Sequence, residues 1–436
     1  MKQPILENLA AFAVHRRRML VIVWAVAALA GAAVSRFVGV NYDLSEYLPD
    51  SMSSKIGADE YRKQFGSDGV ALLMTGGLSQ QEAGSLEEWM ESLAGVSEVL
   101  GYSDVADSAQ PEWFTDPDLA RTFLRGEHRL FVIRFAGASQ DAATVDALLN
   151  IRERLEGRPY ALGAEAAFCE ALISKVDREL PIYSVIAVAA LFFVVLLAMQ
   201  SFVEPFLLLI ATGAAILVNM GTNLVLGEIS MISNAAAPLL QLAVSMDYAI
   251  FLLHRYHQEK EGGLPPHQAM ARAVRLSFAP ISASALTTVA GFVALLFMRY
   301  MVGDDLGIVL AKGVLLSILS AVTLLPGLIL GADRLIERTR HRVWMPGFSR
   351  LGVALTRFRY AGLLLVALLA IPSFFAQRGV TYLYSVRNSL YEDAQVNIDD
   401  AQIEERFDRG SELILLIPND DPVRAAAFGE ALREHE

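Results

Sequence analysis

Gln241-Leu-Ala-Val-Ser-Met-Asp247-Tyr-Ala-Ile-Phe251 lies inside an apolar run from Met231 to Leu253, and that run decides the fold. About 20 apolar residues rising 1.5 Å each cover the hydrocarbon core of a bilayer. The stretch is therefore a transmembrane helix with a carboxylate inside it. A charged side chain at such depth costs roughly 2.5–3.5 kcal/mol on insertion scales, so by default it marks function. Removal from water generally favours the neutral form of a carboxyl, which suits a group that loads and releases a proton.

Six further apolar runs have spanning length or close to it. Together with Met231–Leu253 they are Met19–Val38, Ile182–Ala198, Phe206–Leu226, Pro280–Met298, Leu306–Leu330 and Ala361–Ala376. They explain a composition of 54% hydrophobic and 19% charged residues over 436 positions, too apolar for an ordinary soluble protein. The net charge of −12 is unevenly placed: residues 42–181 carry 12 Lys/Arg against 25 Asp/Glu, and the rest of the chain is close to neutral. That acidity excludes nucleic acid as a partner. A single cysteine, Cys169, excludes an intramolecular disulfide framework.

Basic residues set the orientation. His15-Arg16-Arg17-Arg18 precede the first run. Arg255, Lys260, Arg272 and Arg275 follow the fourth, and Arg334, Arg338, Arg340, Arg342, Arg350, Arg357 and Arg359 lie between the sixth and seventh. An even number of crossings separates these loops, so all fall on one side. The expected arrangement is a cytoplasmic N-terminus and an extracytoplasmic acidic segment, in a cell (cytoplasmic or inner) membrane. Arg16–Arg18 before a run ending in Ala30-Gly31-Ala32 also fit a signal peptide, but the leader and the run are both too long. The first helix is expected to stay as an uncleaved anchor.

The acidic segment alternates strand and helix patterns: Val70–Met74, then Ser79–Leu93, Leu130–Phe135 and Ala142–Leu155. A small sheet backed by helices follows. An internal repeat is also visible. Tyr42, Tyr61-Arg-Lys-Gln-Phe65-Gly66 and Val70–Met74 after the first helix match Tyr382, Ile403-Glu-Glu-Arg-Phe407-Asp408 and Leu413–Ile417 after the seventh. The aromatic-to-Phe intervals are 23 and 25 residues, and a helical pattern follows each strand, from Ser79 and from Asp421. The second copy stops at Glu436 inside its first strand–helix unit, where a sheet edge would stay unpaired. The expectation is an N-terminal half, plus the start of the second, of a two-repeat protein.

These residues resemble the MMPL family of the resistance-nodulation-division (RND) transporter superfamily. The matching stretches are Tyr42-Asp-Leu-Ser-Glu-Tyr-Leu-Pro49, Phe65-Gly66, Met246-Asp-Tyr-Ala-Ile-Phe-Leu-Leu-His-Arg-Tyr256, Ser284-Ala-Leu-Thr-Thr-Val-Ala-Gly-Phe292, and Leu310-Ala-Lys-Gly-Val-Leu-Leu-Ser317 through Leu325-Pro326. The resemblance implies export of lipids or other hydrophobic compounds driven by the proton-motive force, with twelve helices in a complete protein. It departs from the superfamily pattern at Ala243, where GxxxD has glycine, and it lacks the second Asp-Tyr pair.

The fold expected is a polytopic α-helical membrane protein of about seven transmembrane helices. A ferredoxin-like, porter-type α+β domain stands between helices 1 and 2. The expected division is residues 1–40 (N-terminus and first helix), 41–181 (α+β domain), 182–331 (helices 2 to 6), 332–360 (basic linker), 361–378 (seventh helix) and 379–436 (start of a second extracytoplasmic domain).

Asp247 is the expected proton carrier, with Tyr248 beside it. Ser284, Thr287 and Thr288 stand at the same depth in the fifth helix, and Ala243 and Gly291 are helix-packing positions. The bland alternatives are a structural carboxyl and a packing tyrosine. Lys312 lies roughly 15 Å from Asp247 along the membrane normal. It is expected to snorkel outward or to pair with Asp304 or Asp305. His254 and His257 lack a third ligand and read as interfacial anchors rather than metal ligands. Pro265–Phe278 reads as a helix on the inner membrane surface.

The expected function is proton-driven export, with no cofactor beyond the proton gradient, no metal and no enzymatic chemistry. Partners would be a hydrophobic or lipid-like substrate, membrane lipids, and a missing second half or homologous chain. The rival reading is a non-transporting membrane component, such as a lipid- or sterol-sensing-like or export-accessory protein.

Overall fold

The computed structural model describes residues 3–43, 45–66, 69–105, 121–344, 357–380 and 393–408. The chain divides into two compact units, residues 1–47 with 177–383 and residues 48–176 with 384–436.

Seven helices among the described residues are long and apolar enough to cross a membrane. They lie at Arg17–Phe37, Ala164–Ala198, Glu204–Leu226, Met231–Glu261, Pro266–Phe297, Val302–Arg338 and Tyr360–Gly379, and are called spans one to seven. All seven expected crossings are present, and several helices outrun their apolar stretch. Span two is continuous back to Ala164, through Pro181. Span five starts at Pro266, so the expected surface helix 265–278 is the first part of one helix with the span itself.

Burial ranks the spans. Span six is the hub, 61% buried over its most apolar window, whereas span seven is 0% buried. Small residues let the helices close. A side chain at Gly31 of span one would strike the backbone of Leu217, and one at Gly221 of span three would strike Gly31. Such close backbone approach is how helices pack where the solvent is itself apolar. Trp24 Nε1 of span one donates to Thr323 Oγ1 of span six at 2.8 Å, and Ser320 Oγ of span six donates to the Ala211 carbonyl at 2.7 Å. Strands Gly39–Asn41 and Glu228–Ser230 pair in parallel, joining the chain after span one to the chain before span four.

The second unit contains α1 (Ser53–Phe65), β1 (Val70–Gly76), α2 (Gln80–Glu91), β2 (Val96–Leu100), β3 (Leu124–Arg125), β4 (His128–Phe135), α3 (Ala142–Arg154), β5 (Tyr160–Gly163) and α4 (Gln395–Phe407). Sheet order is β2-β4-β1-β5, with all neighbours antiparallel and β3 forming a hairpin with β4. Two strand–helix–strand units interleaved in this order give a ferredoxin-like sheet, as expected. Ser79 opens α2 with a capping box in which its Oγ accepts from the Glu82 N–H while Glu82 Oε2 accepts from the Ser79 N–H at 3.0 Å.

Side chains alternate between the two faces of a sheet. Ala71, Leu73, Phe131 and Ile133 are buried on one face, and Leu72, Met74, Leu130 and Ala161 form a cluster on the other with Ile403 and Phe407 of α4. The chain after residue 379 is expected to begin a second domain, yet α4 packs on β5 of the first. Asp399 Oδ2 accepts from the Leu162 N–H at 3.1 Å and Asp400 Oδ1 from the Ala164 N–H at 3.0 Å. Ala164 holds φ at +68° where β5 turns into span two. A side chain at Gly163 would meet Asp400 Oδ1 at 2.5 Å, so glycine lets α4 approach this closely. The strand expected at 413–417 and the helix from Asp421 lie outside the described residues.

Candidate functional site: two faces of span four

Span four runs unbroken from Met231 to Glu261, past the end of its apolar run, which leaves Asp247 near its middle. Its faces differ. Gln241, Ser245, Tyr248 and Leu252 recur at spacings of 3 to 4 and are buried; Ala243 and Asp247 are exposed, and Leu240 and Phe251 are 43% and 47% exposed.

On the open face, Asp247 has no hydrogen bond or ion pair among the described residues. Ser284 and Thr287 of span five are exposed, as is Gly291. The two threonines are engaged locally: Thr287 Oγ1 donates to the Ser284 carbonyl at 2.6 Å and Thr288 Oγ1 to the same carbonyl at 3.1 Å. The Tyr248 hydroxyl is buried next to Thr288, without hydrogen-bond geometry. Of the expected polar residues, Tyr248 and Thr288 are brought together across spans four and five.

The closed face carries a buried polar network that sequence reading missed. Gln241 Oε1 accepts from Asn219 Nδ2 of span three at 2.8 Å. Gln241 Nε2 donates to the Gly313 carbonyl at 3.0 Å and to Ser317 Oγ at 3.1 Å, both in span six. Ser245 Oγ, one turn on, has two acceptors within reach of its one proton, Ser317 Oγ at 2.5 Å and the Gln241 carbonyl. Asn219 Nδ2 reaches the Val309 carbonyl at 3.2 Å. The signal was present in the sequence as Gln241 and Ser245 at one-turn spacing in an apolar run.

Lys312 belongs to this network. Its Nζ donates to Asn223 Oδ1 at 2.6 Å and to the Asn219 carbonyl at 3.2 Å. Those acceptors sit in the last turn and C-cap of the helix Glu204–Thr222, where the helix dipole favours a cation. This replaces the expected outward snorkelling or pairing with Asp304 or Asp305. Asp305 instead accepts the Ser230 N–H at 2.7 Å, at the start of span four.

At the other end of span four, His257 Nε2 meets Glu204 Oε1 at 2.6 Å, and Glu204 is wholly buried. Lys260 Nζ lies 2.6 Å from Asp333 and 2.8 Å from Glu337, and the Tyr256 hydroxyl donates to Asp333 at 2.7 Å. A cavity of about 250 Å³ opens among Gln200, Glu204, His257, Lys260, Glu337 and Arg340. His257 thus bonds within the helix bundle, beyond the anchoring role expected of it. No group of three or more His, Cys, Asp or Glu among the described residues could hold a metal ion.

Seven spans, a ferredoxin-like domain after the first and an intramembrane Asp-Tyr pair in the fourth define a polytopic membrane protein of RND type. The chain belongs to the MMPL family, whose sequence profile matches residues 47–358. It is 26% identical over 305 residues to the siderophore exporter MmpL5 of Mycobacterium tuberculosis, covering 67% of this chain and 31% of that protein. It is 28% identical over 157 residues to the probable transport protein MmpL12 of the same organism, covering 35% of this chain and 14% of that one. Among solved structures it is similar to SecDF, a translocon-associated membrane protein from Thermus thermophilus. The TM-score is 0.43 at 13% identity, over 74% of this chain and 38% of that one. The chain spans less than a third of the length of these two curated relatives.

Proposed function

We propose that this chain carries the proton-coupling site of a secondary transporter that exports lipids or other hydrophobic compounds from a cell membrane, with its N-terminus in the cytoplasm. Asp247 carries the reading. It is an ionisable group near the middle of a spanning helix, on the exposed face, without a partner among the described residues. A carboxylate in that position is costly, and protonation removes the cost. One proton moving through 100 mV supplies about 2.3 kcal/mol, enough to bias a two-state helix arrangement. Relatives named as transport proteins, one of them a siderophore exporter, support export. Tyr248 and the hydroxyls of Ser284, Thr287 and Thr288 are the groups proposed to attend the proton. The missing partner of the open face would be a second half or a homologous chain.

The test is Asp247→Asn in lipid vesicles under an imposed pH gradient, with proton uptake followed by an internal dye. Uptake by the wild type and its loss in the variant are expected. Equal uptake by both would remove Asp247 from the role.

A further inference from the structure

We propose that Gln241 is a positioning residue for Asp247: its hydrogen bonds to spans three and six fix the rotation of span four and so direct Asp247 to the open face. This rests on the proton-coupling reading for the importance of Asp247, while the rotational claim is separately measurable.

Three observations carry it. Spans three, four and six meet on the closed face mostly through apolar side chains, including Leu208, Leu252, Val314 and Leu325. Contacts of that kind discriminate between rotations less sharply than hydrogen bonds do, because lipid is as apolar as the helices. Gln241 supplies the sharper discrimination. Its amide is 1% exposed and uses both ends, Oε1 toward Asn219 and Nε2 toward Gly313 and Ser317. Nothing in hydrocarbon offers those groups another partner, so rotating the helix would strand them.

The second observation is steric. A side chain at Gly313 would come within 2.7 Å of Asn219 Nδ2 and 2.9 Å of Gln241 Oε1. The absence of a side chain there is what lets the amides meet. The third is phase. Asp247 is six residues past Gln241, about 600° or 240° net round the helix. A helix held at Gln241 and at Ser245 must therefore show Asp247 on a different face. Lys312 extends the network by binding the Asn219 carbonyl, so span three is held at the same point.

The experiment is a nitroxide scan of span four in the full chain in lipid nanodiscs, with Cys169→Ser. Single labels replace residues 240–251 except 241 and 245, and collision with oxygen is measured at each. The wild type should give a stripe of high exposure at 240, 243, 247 and 251. Gln241→Leu and Gly313→Ala should each turn the phase of that stripe by more than about 30° or abolish its periodicity. Ser317→Ala adds no bulk and leaves the bonds of Gln241 to Asn219 and Gly313, removing only those of Gln241 and Ser245 to Ser317, and should turn it less; Gly331→Ala, where a side chain meets nothing within 4 Å, should leave it in place. In vesicles, proton uptake by Gln241→Leu should fall by about threefold or more, with helix content unchanged. An unmoved stripe in Gln241→Leu and Gly313→Ala overturns the proposal. Wild-type uptake no greater than that of Asp247→Asn instead overturns the proton-coupling reading, whatever the stripe does.

Discussion

Helices α1 and α4 occupy corresponding places in the repeat expected from the sequence, Tyr61 to Phe65 against Ile403 to Phe407, and they meet opposite fates. α4 buries Val396, Asp399, Asp400, Ile403 and Phe407. None of the described side chains of α1 is buried. Both are 13-residue helices, so length does not separate them. The difference is the surface each meets: β5 receives α4 through a glycine and two backbone N–H groups. Helical pattern makes the helix, and a matching acceptor makes it part of a core.

The comparison breaks most readily at Ile403. It is 1% exposed and clusters with Leu72, Met74 and Ala161. Ile403→Ala should cost the α+β domain about 2–5 kcal/mol, the range for deleting a buried isoleucine side chain. Faster amide hydrogen exchange across β1 and β5 of the full chain would register the loss. Unchanged exchange would mean that α4 merely lies on the sheet. Asp399→Ala should cost less, about 1–3 kcal/mol, because it leaves the Leu162 N–H without its acceptor in a buried place. Its effect should be centred on β5, since the Leu162 amide itself loses protection.

Glu87 sharpens the contrast from another part of the domain. Burial holds its carboxyl above the usual carboxylate range; the Ser103 hydroxyl donating to it pulls the other way, and nearby Asp104 adds to the rise. A raised folded value means the native state favours the protonated form. The stability this gives is fully present below the unfolded value and is lost as pH rises through the raised one. Exchange in α2 and β4 should therefore quicken over that window, just above ordinary carboxylate titration, and Glu87→Gln should abolish the dependence. The same dependence should survive Ile403→Ala if α4 acts only through its own face.

Span count and the strand–helix alternation were legible because hydropathy and side-chain period report burial directly. Val70–Gly76 and His128–Phe135 contain the apolar runs Val70–Met74 and Leu130–Ile133 and were readable. Val96–Leu100 and Tyr160–Gly163 were not, being short and, in the first case, interrupted by Ser97 and Glu98. Asp247 was conspicuous because a carboxylate in an apolar run is costly wherever its partners are. Gln241 was not, since an amide is cheap enough to pass as an ordinary polar residue until Asn219, Gly313 and Ser317 surround it. Lys312 shows a further limit. Its acceptors, a helix-end carbonyl and a cap side chain, are no carboxylates, so a search for an opposite charge could not find them.

The smallest effect expected lies at Tyr61, the counterpart of Ile403. It is 37% exposed, on a helix with no buried side chain among those described. Tyr61→Ala should change the stability of the α+β domain by no more than about 0.5 kcal/mol, as surface substitutions do. Exchange in β1 and β5 should match the wild type, while α1 itself, with no buried side chain among those described, is expected to exchange faster than the sheet. Repeating the measurement in a chain that includes a complete second repeat separates two origins of the asymmetry. If Tyr61→Ala stays silent there, α1 differs from α4 by its own sequence. If it then costs what Ile403→Ala costs, α1 is the same kind of helix as α4, and only its receiving surface was lacking.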